Sequence, residues 1–207
     1  LIVLAKYTNY YTIFIAVFGI ETTAYAAIQS IIGNSLVSNT KEKNFSLFKD
    51  LFNINIVVTL ACVCCFVALY QPFIAIWVGD NNLLGIEIPL LLALYFFIKS
   101  TRKTLFTFYE AAGLWRADFL KPYVSVIVNL VMNIVLVQII GLPGVIISSI
   151  FALAVVEMPW ESIVFFKQYF NVRVIEYGLL ILKSVFFCGV SFGVTLFICQ
   201  FLPYGIW

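Results

Sequence analysis

Hydrophobic residues in this chain gather into six long runs separated by polar connections. The runs cover about residues 10–32, 54–78, 83–98, 123–140, 145–166 and 178–202, and the third continues in helical pattern toward Phe108. Each is close to the roughly 20 residues a helix needs to cross about 30 Å of hydrocarbon. A membrane strand needs only about 9–11 residues and alternates in polarity. No such alternation appears, so the pattern predicts helices. The expected fold class is all-α: a polytopic membrane bundle of about six transmembrane helices, forming one region over residues 1–207. The opening Leu1–Ala5 is too short for a span or for the apolar core of a signal peptide, and Lys6 closes it. It reads as the tail of an earlier element.

The connections alternate in charge. Gly79-Asp80-Asn81-Asn82 and Gly141-Leu142-Pro143-Gly144 contain no Lys or Arg, and the second is a Gly-x-Pro-Gly turn signal between two apolar runs. The other three connections are basic: Lys41, Lys43 and Lys49; then Lys99, Arg102, Lys103, Arg116 and Lys121; then Lys167 and Arg173. Ten of the twelve basic residues therefore fall on one side, which the positive-inside rule assigns to the cytoplasm. Both ends of the chain are then expected outside. That start suits a fragment opening at an even-numbered helix of a longer protein.

Composition agrees with a membrane solvent. Of 207 residues 63% are hydrophobic and 11% charged, against about 45–50% and about 25% in soluble domains. Mean hydropathy is +1.07. The chain has no histidine, so Ser-His-Asp, Cys-His and His-ligated metal chemistry are excluded. Near-balanced charge gives no reason to invoke nucleic acid. No phosphate-cradling glycine loop or paired aspartates are present, so no enzyme, cofactor or metal is expected. Cys62, Cys64 and Cys65 lie in a charge-free run without partner ligands and read as small packing residues. Gly19, Pro72, Pro89, Gly113, Pro159 and Gly189 punctuate the runs, as hinges or as residues common in membrane helices.

A few polar positions carry candidate chemistry. Glu21 falls near the middle of the first run, where an ionised carboxylate costs about 2.5–3.5 kcal/mol. It is either a cavity-lining proton or cation site or a protonated group bonded between helices; Tyr25 stands one turn away. Asn129 and Asn133 form a stripe one turn from Ser125, suited to sugar hydroxyls or to interhelical hydrogen bonds. Lys99, Arg102 and Lys103 either attract a phosphate into a cavity or snorkel to the interface. Glu161 is expected to pair with Lys167 or to help close a gate.

In order, Tyr7-Thr8-Asn9-Tyr10, Ile32-Gly33-Asn34, Pro72-Phe73-Ile74 with Trp77-Val78-Gly79, and Gly113-Leu114-Trp115-Arg116-Ala117-Asp118 resemble the C-terminal half of Wzx-type polysaccharide flippases. So do Asn129-Leu130, Gly141-Leu142-Pro143-Gly144-Val145, and Trp160-Glu161 with Lys167 and Phe170. The resemblance extends over nearly the whole chain and includes the wider superfamily of multidrug and toxin extruders. It implies the C-terminal lobe of a fourteen-helix MATE-like fold, helices eight to thirteen, without its N-terminal lobe. The implied activity is movement of polyprenyl-pyrophosphate-linked oligosaccharide from the cytoplasmic to the outer leaflet by alternating access, in a bacterial inner membrane. The implied substrate-binding residues are Arg102, Lys103, Lys99, Asn129 and Asn133, with Glu21 coupling an ion. Implied partners are the lipid-linked oligosaccharide, membrane lipids, the missing N-terminal lobe and other polysaccharide-assembly proteins. The alternatives are a membrane glycan polymerase or ligase, disfavoured by the short outer connections, and a structural bundle without transport.

Overall fold

The structure, a computed structural model, describes residues 2–114, 118–170 and 173–199. Leu1, the motif residues Trp115, Arg116 and Ala117, and the far end of the sixth run at Leu202 lie outside the described residues. Among those described there is no strand.

Helix α1 (Ile2–Ser38) and helix α2 (Lys41–Val78) are followed by a single 3₁₀ turn, Asp80–Asn82, and by α3 (Glu87–Ala111). Helix α4 (Lys121–Ile140) leads through Gly141 into one long rod, Leu142–Phe170. The rod comprises α5 (Leu142–Phe151), a π-helical stretch Ala152–Glu157, α6 (Met158–Phe165) and a second π-helical stretch Phe166–Phe170. Helix α7 (Ile175–Cys199) closes the described chain. Pro159 accounts for the first π stretch. It has no N–H to give the carbonyl of Val155 and its ring crowds that carbonyl, so the preceding turn widens.

By length and composition, five helices can cross a membrane: Val3–Ser38, Lys41–Val78, Lys121–Ile140, Leu142–Phe170 and Ile175–Cys199. This makes the chain a multi-pass helical bundle. Two expectations need correcting. Lys41, Lys43 and Lys49 lie on the first turns of α2, which opens at an extended Thr40 whose Oγ1 accepts from the Lys43 N–H at 3.4 Å. At 37 and 38 residues, α1 and α2 outrun the roughly 20 residues of a span, so their polar ends remain helical beyond it. The third run starts its helix at Glu87 rather than Leu83 and carries it to Ala111. This helix is too charged to count with the five, holding Glu87, Lys99, Arg102, Lys103 and Glu110.

Position in the bundle resolves that charge. Helix α3 packs against α1, α2, α5 and α6, so its polar groups face protein rather than lipid. Two aromatic-rich cores flank its middle. One, toward the end bearing the basic connections, gathers Phe48, Phe52, Phe108, Phe165, Phe166 and Tyr177. The other, toward the neutral connections, gathers Tyr10, Phe14, Phe66, Tyr70, Leu92 and Phe96. Between them lies a layer of buried polar groups: Asn55, Thr59, Ser100, Thr101 and Thr104. Helices α4 and α7 lie outside, with long exposed apolar faces suited to lipid.

The α4–α5 hairpin is tight. Gly141 (φ 67°, ψ −136°) alone joins the helices, in a conformation that a side chain would strain. Gly144 then brings α5 so close to α4 that an added Cβ would lie 2.6 Å from the Leu136 carbonyl carbon.

Candidate functional site

The densest polar feature is a charge cluster joining α3, α4 and the rod. Pro159 separates Glu157 from Glu161, yet the two are four residues apart and both reach Arg102. Glu161 is wholly buried. Its Oε2 accepts from Arg102 Nε at 2.7 Å, and its Oε1 accepts from Arg102 Nη2, a two-pronged pair. Lys121 Nζ donates to the same Oε1 at 2.6 Å and sits 2.5 Å from Asp118 Oδ2. Glu157 Oε2 lies 2.9 Å from Arg102 Nη2, and its Oε1 accepts from Ser125 Oγ at 2.6 Å. The ring of Phe106 lies against the Arg102 guanidinium, and that of Tyr109 against Lys121.

This cluster corrects one pairing and gives Arg102 a local role. Glu161 pairs with Arg102 and Lys121, not with Lys167, because the rod turns it inward to α3 and α4 while Lys167 is exposed. Arg102 is compensated by two carboxylates, so it is not a free cation awaiting an anion. Helix α4 has only two buried residues, Lys121 and Ser125, and both are gripped by this cluster.

Glu21 sits in the polar layer. Its Oε1 accepts from Ser100 Oγ at 2.7 Å, while its buried Oε2 has no hydrogen-bond partner. Ser100 also shares a 2.7 Å hydrogen bond with Thr59, and its carbonyl accepts from Asn55 Nδ2 at 2.7 Å. Tyr25 meets Thr104 at 2.5 Å. Glu21, Tyr25, Asn55, Thr59 and Ser100 line a cleft of about 370 Å³ between α1, α2 and α3, with Cys62 on its wall.

Lys99 and Lys103 lie one turn apart on α3, on the side of α1. Lys99 Nζ stands 4.4 Å from the Phe18 ring centre, 5.4 Å from that of Tyr95 and 5.6 Å from that of Phe14. Lys103 lies 5.9 Å from the rings of Tyr25 and Phe106. Neither lysine has a carboxylate within ion-pair distance among the described residues.

The amide stripe divides in two. Asn133 Nδ2 donates to Asn129 Oδ1 at 2.8 Å, and Asn133 Oδ1 accepts from Ser148 Oγ at 2.7 Å, so Asn133 stitches α4 to α5. Asn129 keeps its amide nitrogen unpaired among the described residues. It faces a second cleft, of about 360 Å³, shared with Tyr95, Ser125, Ser149 and Glu157.

No family model, curated protein or solved structure matches the chain.

Among the described residues no group of His, Cys, Asp and Glu is arranged to hold a metal ion. Sequence reasoning passed over Asp118, Lys121 and Ser100, which the structure makes central. Lys121 and Asp118 were hidden in a basic connection, and only their three-residue spacing hinted at a pair. Ser100 carried no signal, since its partners Glu21 and Thr59 are 79 and 41 residues away.

Proposed function

We propose that the chain is part of a membrane transporter that moves an oligosaccharide, linked through pyrophosphate to a polyprenol, from the inner to the outer leaflet of a bacterial cell membrane. One observation supports this above the others. The central helix of the bundle carries two lysines, Lys99 and Lys103, that no carboxylate contacts at ion-pair distance among the described residues, although Glu21 and Glu157 act on Lys99 from farther off, beside a neighbouring arginine that two carboxylates do contact. A half-buried cation held against aromatic rings gains from an added counter-charge. An anionic pyrophosphate is the partner this reading supplies.

In this mechanism Lys99 and Lys103 attract the pyrophosphate while Arg102 holds α3, α4 and the rod in register. Glu21, which lines the cleft between α1, α2 and α3 and whose buried Oε2 has no hydrogen-bond partner, is the group this reading assigns to the coupling proton or cation. An inside-negative potential assists, since each elementary charge is worth about 2.3 kcal/mol per 100 mV. The resemblance in the motif order points the same way and adds the MATE-like lobe architecture. The test is deletion of the gene in its host. Lipid-linked oligosaccharide then accumulates on the cytoplasmic leaflet and vanishes from the outer one; undiminished outer exposure refutes the proposal.

A further inference from the structure

The second cleft is a place for a different part of a ligand than the lysines serve. Its walls come from three elements: Tyr95 on α3, Ser125 and Asn129 on α4, and Ser149 and Glu157 on the rod, with Val126, Leu130, Ala152 and Leu153 as apolar wall between them. Its polar groups offer a mixed set. The Asn129 amide nitrogen and the Tyr95 hydroxyl have no partner among the described residues and can donate. Glu157 accepts one hydrogen bond from Ser125 and one contact from Arg102, which leaves a carboxylate with spare lone pairs.

Charge narrows the class of ligand. An anion entering here meets Glu157 on the wall, with Glu161 one helical turn beyond it. A cation competes for Glu157 with a guanidinium 2.9 Å away. Charge thus leaves a neutral ligand, and the unpaired Asn129 and Tyr95 donors beside the Glu157 acceptor favour one that both donates and accepts. Donors and acceptors lining one cleft beside an aromatic ring suit a polyhydroxylated ligand, and a volume of about 360 Å³ falls within the roughly 300–1,000 Å³ of small-molecule sites. We infer that this cleft is a subsite for sugar hydroxyls, with Asn129, Glu157 and Tyr95 as its binding groups.

The subsite rests on the proposed transport function and deepens it. Tyr95 lies one helical turn before Lys99, whose ammonium stands 5.4 Å from the Tyr95 ring centre. A ligand with its phosphates at Lys99 therefore extends its first sugar past Tyr95 toward Asn129. Asn133 takes no part, because it does not line the cleft and its amide joins Asn129 to Ser148.

The test uses photo-crosslinking of the protein in lipid nanodiscs free of glycoside detergent. The probe is a long-chain alkyl disaccharide bearing a diazirine on the sugar; the controls are the same alkyl chain ending in a diazirine alcohol and in a diazirine phosphate. The disaccharide probe is expected to label peptides containing Tyr95, Asn129 or Glu157, with competition by unlabelled alkyl disaccharide. Asn129→Leu, which leaves the ion cluster intact, should reduce that labelling at least tenfold, and Glu157→Gln should do the same. Lys167→Ala, at an exposed position outside the cleft, should leave it unchanged. Equal labelling by the alcohol probe makes the cleft an acyl-chain groove, preferential labelling by the phosphate probe makes it an anion site, and either overturns the inference. Sugar-specific labelling without leaflet transfer sinks the transporter reading alone; transfer without labelling sinks the subsite alone.

Discussion

Arg102 of α3 and Glu161 of the rod form a two-pronged ion pair in which the carboxylate is wholly buried. Lys121 shares the same carboxylate, so three elements meet on one side chain. Such a pair is weak evidence for stability compared with an apolar replacement, but removal of one partner leaves uncompensated charge behind.

Glu161→Ala is therefore expected to destabilise the bundle by about 3–5 kcal/mol, since Arg102 and Lys121 lose their shared partner. Thermal or denaturant unfolding in detergent measures it. Lys167→Ala, at an exposed position, should leave the midpoint unchanged. Equal effects of the two substitutions contradict the pairing seen in the structure.

Arg102 and the two lysines should separate by what they lose. Arg102→Ala lowers protein stability and, through it, export; Arg102→Lys recovers only part, because an ammonium cannot reproduce the two-pronged contact. Lys99→Ala with Lys103→Ala should lower export at least tenfold while the unfolding midpoint holds. Parallel measurement of export and melting on the same preparations decides between them.

Glu21→Gln preserves an acceptor for the Ser100 hydroxyl and removes the ionisable group. Export is expected to continue but to lose its dependence on the external cation or proton gradient. Unaltered gradient dependence assigns Glu21 to helix packing.

Gly144→Ala tests the hairpin. Its methyl group would lie 2.6 Å from the Leu136 carbonyl carbon and 2.7 Å from its oxygen, both backbone atoms that cannot swing away. The expected loss is about 1–3 kcal/mol. Gly193→Ala meets open space and should stabilise α7 by up to about 1 kcal/mol, as replacement of a helix-interior glycine does.

Hydropathy located the helices because lipid solvation acts on each stretch by itself, and the apolar runs of α2, α4 and α7 state it plainly. Helix α3 shows where that signal ends. Its charged half reads as an interface, and only packing on four other elements reveals it as the bundle's centre. The site was legible as separate residues, not as a constellation. Glu157 and Glu161 display their four-residue spacing around Pro159, but their partner Arg102 stands 59 residues before Glu161 and Lys121 stands 40 before it. Asn129 and Asn133 look equivalent in the sequence; a hydroxyl from the neighbouring helix, Ser148, is what ties Asn133 across to α5, while Asn129 keeps its amide nitrogen unpaired among the described residues.

Leaflet transfer through Lys99 and Lys103 can be followed in a reconstituted membrane. The direct measurement is the intact gene product in liposomes holding a fluorescent polyprenyl-pyrophosphate disaccharide, with an impermeant quencher outside and a potassium-valinomycin potential, negative inside. Transfer outward should exceed that of protein-free liposomes, rise with the potential, and fall to background in the protein carrying both Lys99→Ala and Lys103→Ala. A rate equal to that of empty liposomes, or one the double substitution does not change, contradicts the account.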